Sequence, residues 1–402
     1  VVVQTDYANP LSDKSKIEAG ARVQIRDIVS DINYDLAGKN TATYYTNQER
    51  VYAVYGTFSS KIKNFGYQFG LRAESSTNEG IQNRKQTFRT EYPVSLFPSV
   101  FLSQKLTDAS DLQLNYSRRI NRPNIFQMFP FTDYTDSLNI SRGNPGLVPE
   151  FTNSLELSFS HQFKNRDNFI ASVYFKNTND LITRIQQPEF DTFLKRDVYI
   201  NTFVNANRSW VSGLELVSRN KVTKWWDLTS NVNLFTSRII LVNQPSQEPF
   251  VSYFAKINNQ FKLPKNFSVQ LSADYTSKII SAPGGSNSGG GRGGGGMMMG
   301  GGGGSAAQGY IRPIYGVDGG VRFEFLKDKK AFLQLNVNDI FRSRKFDSHT
   351  EALGFVQDSW RRRDPQVFRL IFNYRFGKMD ATLFKRKNTR QEDAGIDSGV
   401  SM

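Results

Sequence analysis

Few residues in this chain could do chemistry by themselves. Met297, Met298 and Met299 lie inside a glycine run, and fourteen of the chain's 31 glycines fall within positions 284–304. Three thioether sulfurs suit a soft metal such as Cu(I). The plainer reading of that run is a low-complexity loop that touches nothing in particular, because glycine has almost no side chain to bury and a high cost of ordering. A second candidate is the segment 121–151. It carries Phe126, Phe129, Phe131, Tyr134 and Arg142, a set that could line a ligand mouth, or could simply fold into an aromatic-rich loop. The two histidines lie far apart, His161 near a short turn and His349 alone in a loop. There is no cysteine, so thiolate chemistry, disulfides and cysteine-based zinc sites are excluded. No Ser/His/Asp set, paired carboxylates or phosphate loop stands out, so the chain does not read as an enzyme. The sequence calls for no cofactor.

Period-two strands must position these residues. In 154–163 Leu155, Leu157, Phe159 and Phe163 alternate with Ser154, Glu156, Ser158, Ser160 and Gln162. In 267–276 Phe267, Val269, Leu271, Ala273 and Tyr275 oppose Ser268, Gln270, Ser272, Asp274 and Thr276, and 367–376 behaves likewise around Phe368, Leu370 and Phe372. Such alternation marks strands with one apolar face. The composition agrees, with 32 Phe and 17 Tyr among 402 residues. Hydrophobic residues make up only 38%, and no apolar run approaches the ~18 residues of a transmembrane helix. A membrane barrel needs no such run, since its strands are apolar on one face only.

Fifteen strands are expected: 1–7, 17–29, 49–63, 65–75, 92–106, 110–120, 152–164, 168–186, 208–222, 225–240, 252–263, 266–280, 310–326, 331–346 and 366–377. Short turns join them at one end. Longer loops, 30–48, 76–91, 121–151, 187–207, 241–251, 281–309 and 347–365, alternate with those turns. Short turns at one end and long loops at the other are the pattern of an outer-membrane barrel. A soluble propeller would show a repeated blade of roughly 40–50 residues, which is absent. The first and last of the fifteen strands run parallel, so they cannot close an even-numbered antiparallel barrel, and the chain reads as a fragment lacking upstream strands. Its first residues, with no basic stretch followed by an apolar one, do not read as a signal segment. The charge of +14 suggests an anionic partner, yet Lys and Arg are spread throughout and no nucleic-acid module is found, so no nucleic-acid partner is expected.

Residues 121–164 resemble the barrel of Bacteroidota TonB-dependent receptors. The resemblance rests on Arg122-Pro123, Phe129-Pro130-Phe131, Gly143-Asn144-Pro145, Leu147, Pro149-Glu150, Thr152, Ser154 and Glu156-Leu157-Ser158-Phe159. Weaker matches are Gly213-Leu214-Glu215-Leu216, Lys224-Trp225-Trp226, Gln308-Gly309-Tyr310, Asn336-Val337-Asn338-Asp339-Ile340-Phe341 and Phe372-Asn373-Tyr374-Arg375-Phe376-Gly377. The resemblance implies an all-β, antiparallel transmembrane β-barrel in the bacterial outer membrane. On that resemblance some 14–15 strands of a 22-stranded barrel lie over 1–377, with the plug absent and a disordered periplasmic tail over 378–402. It further implies outer-membrane lipid, TonB, a plug domain and an unknown imported ligand as partners of the full-length parent. The rival expectation is a passive porin-like channel or a surface-binding structural barrel. Charged faces bearing Arg72, Glu74, Glu156, Asp274, Arg322 and Glu324 are expected inside, with Leu155, Leu157, Phe159, Val269, Leu271, Phe368, Leu370 and Phe372 facing lipid.

Overall fold

The computed structural model describes residues 1–36, 39–134, 140–165, 167–192, 194–205, 208–240, 248–281, 309–352, 355–362 and 366–376. The chain opens with six strands: β1 (Val2–Ser12), β2 (Ser15–Leu36), β3 (Lys39–Ile62), β4 (Phe65–Gln82), β5 (Lys85–Thr107) and β6 (Ser110–Asn121). One helical turn, α1 (Ile125–Met128), and two short strands, β7 (Thr132–Asp133) and β8 (Ser141–Arg142), follow. Then come β9 (Glu150–Gln162), β10 (Asn168–Asn179), β11 (Ile182–Asp191), β12 (Arg196–Asn205), β13 (Arg208–Lys221), β14 (Trp226–Ile240), β15 (Val251–Lys262) and β16 (Phe267–Thr276). The last seven are β17 (Ile279–Ser281), β18 (Gly309–Ile311), β19 (Ile314–Phe325), β20 (Ala331–Asn338), β21 (Phe346–Ala352), β22 (Phe355–Arg361) and β23 (Val367–Tyr374).

Fifteen of these strands form one antiparallel sheet in the order β1-β2-β3-β4-β5-β6-β9-β10-β13-β14-β15-β16-β19-β20-β23. It is the wall of the molecule, and its fifteen strands are those expected from the alternation. β1 and β23 are its two edges and do not pair with each other. The remaining strands make two four-stranded sheets, β11-β12-β8-β7 and β17-β18-β21-β22, which sit at the end opposite the short turns. With α1 they form a cap.

The wall is apolar on its outward face. Val54, Leu71, Leu96, Leu155, Leu157, Val173, Leu271 and Leu335 are all exposed, as are Phe368, Leu370 and Phe372. Phe159 and Val269 share that face and are half-covered. On the opposite face Glu74 is buried. It accepts from Arg72 and Arg122, each at 2.5 Å. Arg344 likewise pairs with Asp274 and, at 2.6 Å, with Asp318. Polar residues thus meet each other inside, where neighbouring strands supply partners.

Aromatics mark the limits of the apolar face. Tyr253 and Phe261 on β15, Tyr275 and Phe267 on β16, and Tyr315 and Phe323 on β19 each stand eight positions apart on the outward side. The tyrosines stack at 5.4 and 6.4 Å, and Phe267 lies 4.5 Å from Phe323. Eight residues span roughly 27 Å of strand. At a tilt near 40° this rises about 20 Å, close to the ~25 Å apolar band of outer-membrane barrels between their aromatic girdles. Trp225 and Trp226 join the girdle at the turn end, where Trp226 stacks on Phe261 at 5.9 Å.

Several expected loops are folded. Residues 30–48 and 76–91 mostly continue the wall, so that β2–β5 run for 18 to 24 residues each. On β3, Thr43, Tyr45, Asn47 and Glu49 are buried on one face. The period is present but is written largely in polar residues. The β4–β5 hairpin turns on Asn83-Arg84, both with positive φ. That conformation usually takes glycine at its second position, and the arginine hid the turn. Residues 187–207 and 347–365 hold the β11–β12 and β21–β22 hairpins. The expected strand 168–186 ends at Asn179; Asp180 takes a positive φ of 55° and Leu181 is fully buried, so the chain leaves the wall there. The expected tail 378–402 lies outside the described residues, as does most of loop 281–309.

Candidate functional site

A cavity of about 580 Å³ lies where the first small sheet meets the tall side of the wall. Its lining comes from β2 (Ile28, Ile32), β3 (Tyr45), the α1–β8 segment (Ile125, Phe126, Phe129, Phe131, Asp133, Arg142), β11 (Arg184) and β12 (Phe203). Four of the five residues singled out in the sequence, Phe126, Phe129, Phe131 and Arg142, therefore share one surface. Tyr134 does not join them. It packs beside Ile140, Val198 and Ile200, and its hydroxyl donates to Asp191 Oδ2 at 2.7 Å.

The local sequence explains how this wall is held. Asn124 caps α1, accepting from the Gln127 amide at 3.0 Å while Gln127 Oε1 accepts from the Asn124 amide at 2.9 Å. This reciprocal pair fixes the single turn that presents Phe126. The chain then returns on itself. Gly143 N donates to Phe129 O at 2.9 Å and Asn144 N to Gln127 O at 2.7 Å. A Cβ on Gly143 would stand 2.3 Å from Phe129 O, so the glycine permits this approach. Asn144 Nδ2 donates to Phe203 O, tying β12 to the same segment. Glu150 accepts from the Ile182 amide at 2.6 Å and from Asn121 at 2.8 Å. The Arg-Pro, Phe-Pro-Phe and Gly-Asn-Pro blocks thus weld the cap to the wall. Beneath them Tyr45, Phe88, Met128, Phe129, Leu147 and Ile182 form a buried cluster.

The charges at the cavity are unequal. Arg142 spans Glu189 with two hydrogen bonds, one of 3.1 Å and one shorter, so its charge is matched. Asp133 has contacts of its own. Arg184 has no ion pair or hydrogen bond among the described residues, and its Nε is buried without a partner. Burial alone pushes its guanidinium below the usual value. The sequence pointed to Arg142 and missed Arg184, Phe203, Ile28 and Ile32, because these lie on segments far from 121–151. The expected continuation of one strand through 186 also put Arg184 in the wall.

The other candidates fall elsewhere. Met297, Met298 and Met299 lie outside the described residues. His161 accepts from or donates to Ser110 Oγ at 2.7 Å and meets the edge of Phe163, at the turn end. His349 lies on β21, bonded to Asp358 at 3.0 Å. No group of three or more potential metal ligands of the His, Asp or Glu type forms among the described residues. No described helix is long and apolar enough to cross a membrane.

Several solved structures that share the fold are import or uptake receptors and transporters. The ferric-catecholate import receptor Fiu from K12 E. coli superposes with a TM-score of 0.61 at 13% identity, covering 93% of this chain and 54% of its own. The ferric citrate transporter FecA gives 0.61 at 12% identity, with the same coverage. The ferric yersiniabactin uptake receptor FyuA from Yersinia pestis gives 0.56 at 12%, covering 90% of this chain and 51% of its own. At these identities the likeness is one of fold, and the chain spans about half the length of these structures. No curated protein matches the sequence. The model of the outer membrane protein beta-barrel family matches residues 1–290 and 298–374. With its fifteen-stranded wall and lipid-facing apolar band, this chain belongs to the outer membrane protein beta-barrel family and resides in the bacterial outer membrane.

Proposed function

We propose that the chain is the barrel portion of a TonB-coupled receptor that imports a scarce or large ligand. The observation that carries this reading is the cavity at the cap end, built by the same motif residues that fasten the cap to the wall. A passive pore needs an open lumen. It does not need a folded, aromatic-lined recess held above one side of the wall. The short-turn end then faces the periplasm and the cap faces outward, as in other outer-membrane barrels. The resemblance of 121–164 to TonB-dependent receptors and the fold shared with import proteins support energy-coupled transport. A plug domain and TonB are the partners this reading requires in the full-length protein.

The test is ligand accumulation by cells carrying the full-length receptor, with and without TonB and with the proton gradient collapsed. Accumulation that needs both supports the proposal. Uptake unaffected by either, together with ohmic conductance in planar bilayers, would identify a passive channel instead.

A further inference from the structure

We propose that the cap cavity is a binding site for an organic oxyanion carrying an aromatic or aliphatic body, with Arg184 holding the anionic group and Phe126, Phe129, Phe131 and Phe203 the body. This deepens the receptor reading above and rests on it.

Two observations point the same way. First, the lining is mostly apolar with a few polar groups, and about 580 Å³ lies within the usual range of small-molecule sites. Phe126, in the lining, is 81% exposed and offers its ring to an occupant. Second, one cation in the lining has no partner among the described residues. A half-buried guanidinium loses hydration and normally regains it through a carboxylate or several acceptors. Arg142 follows that rule through Glu189, whereas Arg184, opposite Phe203 in the β11–β12 ladder, finds no acceptor among the described residues. A guanidinium presents a planar fork that fits a carboxylate, phosphate or sulfonate. The lining around it is mainly apolar, so a free inorganic ion would leave most of that surface wetted and uncovered. The occupant therefore brings its own apolar surface.

Two matched probes test this: dansylglycine, which carries a carboxylate, and dansylamide, its neutral counterpart. Binding is read by fluorescence polarisation on the full-length receptor in lipid nanodiscs. One charge-assisted contact predicts about tenfold tighter binding of the anion to the wild type, falling to about threefold or less in Arg184→Gln. Unchanged dansylamide affinity in that variant shows that the cavity is intact. If it is lost instead, Arg184→Lys decides: a retained preference for the anion supports the proposal and a lost one overturns it. Equal affinity of the wild type for both probes, binding of neither, or full preference in an intact Arg184→Gln cavity also overturns it. The assay involves no transport, so its failure is separate from any failure of energy-coupled uptake.

Discussion

The wall and the cap use the same residue types in opposite ways. In the wall, leucines and phenylalanines such as Leu157, Leu271 and Phe372 stand outward and exposed, while Glu74 and Asp274 are covered inside. In the cap, Met128, Ile140, Leu147, Leu181 and Ile200 are at most 1% exposed. The three buried apolar clusters all draw on cap residues. Outward leucines are tolerable only where the surrounding medium is itself apolar. The boundary between the two habits marks the membrane surface. It falls where the tyrosine row of Tyr253, Tyr275 and Tyr315 lies.

The largest expected effect contrasts one leucine from each region. Leu147→Ala opens a cavity beneath the motif loop and should cost about 2–5 kcal/mol. Leu157→Ala, already exposed to lipid, should cost far less. Hydrogen exchange of 140–150 and 182–205, set against the wall strands, reads this directly, and equal losses at both positions would erase the distinction. Next, Leu157→Lys should destabilise insertion by about 2–4 kcal/mol if it lies near mid-bilayer. Ser158→Lys on the inner face should be tolerated much better. Folding titrations into lipid vesicles compare them. If the two behave alike, the register is displaced by one residue, because such a slip exchanges the faces.

A smaller effect is expected inside the wall. Tyr174 lies across Gly213, where a Cβ would sit 2.7 Å from both its hydroxyl and Leu234 O. Gly213→Ala should therefore cost about 1–3 kcal/mol by overpacking. Gly56→Ala, whose nearest neighbour is 3.9 Å away, serves as the control. Thermal unfolding of the two variants should separate; coincident curves would mean the wall yields at Gly213.

The smallest effect is electrostatic. The hydrogen bond to His349 and then Arg312 hold the Asp358 carboxyl below its ordinary value, and Lys345 and then Arg312 do the same for Asp347. Because both folded values are depressed, the stabilisation is present above the ordinary carboxylate range. It is lost as pH falls below about 4 toward those depressed values. The pairs are partly exposed and screened, so the loss should appear as lower exchange protection factors in β21 and β22 at acid pH, with those of the wall unchanged. Protection factors in β21 and β22 that follow those of the wall through the titration would show that these pairs hold nothing.

The wall was legible because lipid demands a strict alternation. Strands such as 152–164, 266–280 and 366–377 repeat it in large apolar residues, so existence and order could be read without neighbours. The tall ends of β2–β5 were not legible, because the buried Thr43, Asn47 and Glu49 are polar, as are Thr46, Gln48 and Arg50 beside them, so the alternation carries no contrast in polarity. The cavity was half legible. Phe126, Phe129, Phe131 and Arg142 sit within one segment and could be seen together. Arg184 and Phe203 join them only through the β11–β12 hairpin, whose place is set by Asn144 and Glu150 reaching across from another part of the chain. No local pattern encodes such a contact.

The unequal heights of the wall have a mechanical consequence. β3 has 24 residues and β20 and β23 have 8 each. Extended, these are roughly 79 Å and 26 Å of strand. A two-stranded ribbon standing alone would bend freely, but four tall neighbours, β2 to β5, brace one another, and the cap buttresses them from the inner side. One flank is therefore a stiff parapet and the other a low sill. The recess lies against the parapet, lined by Ile28, Ile32 and Tyr45, and away from the sill.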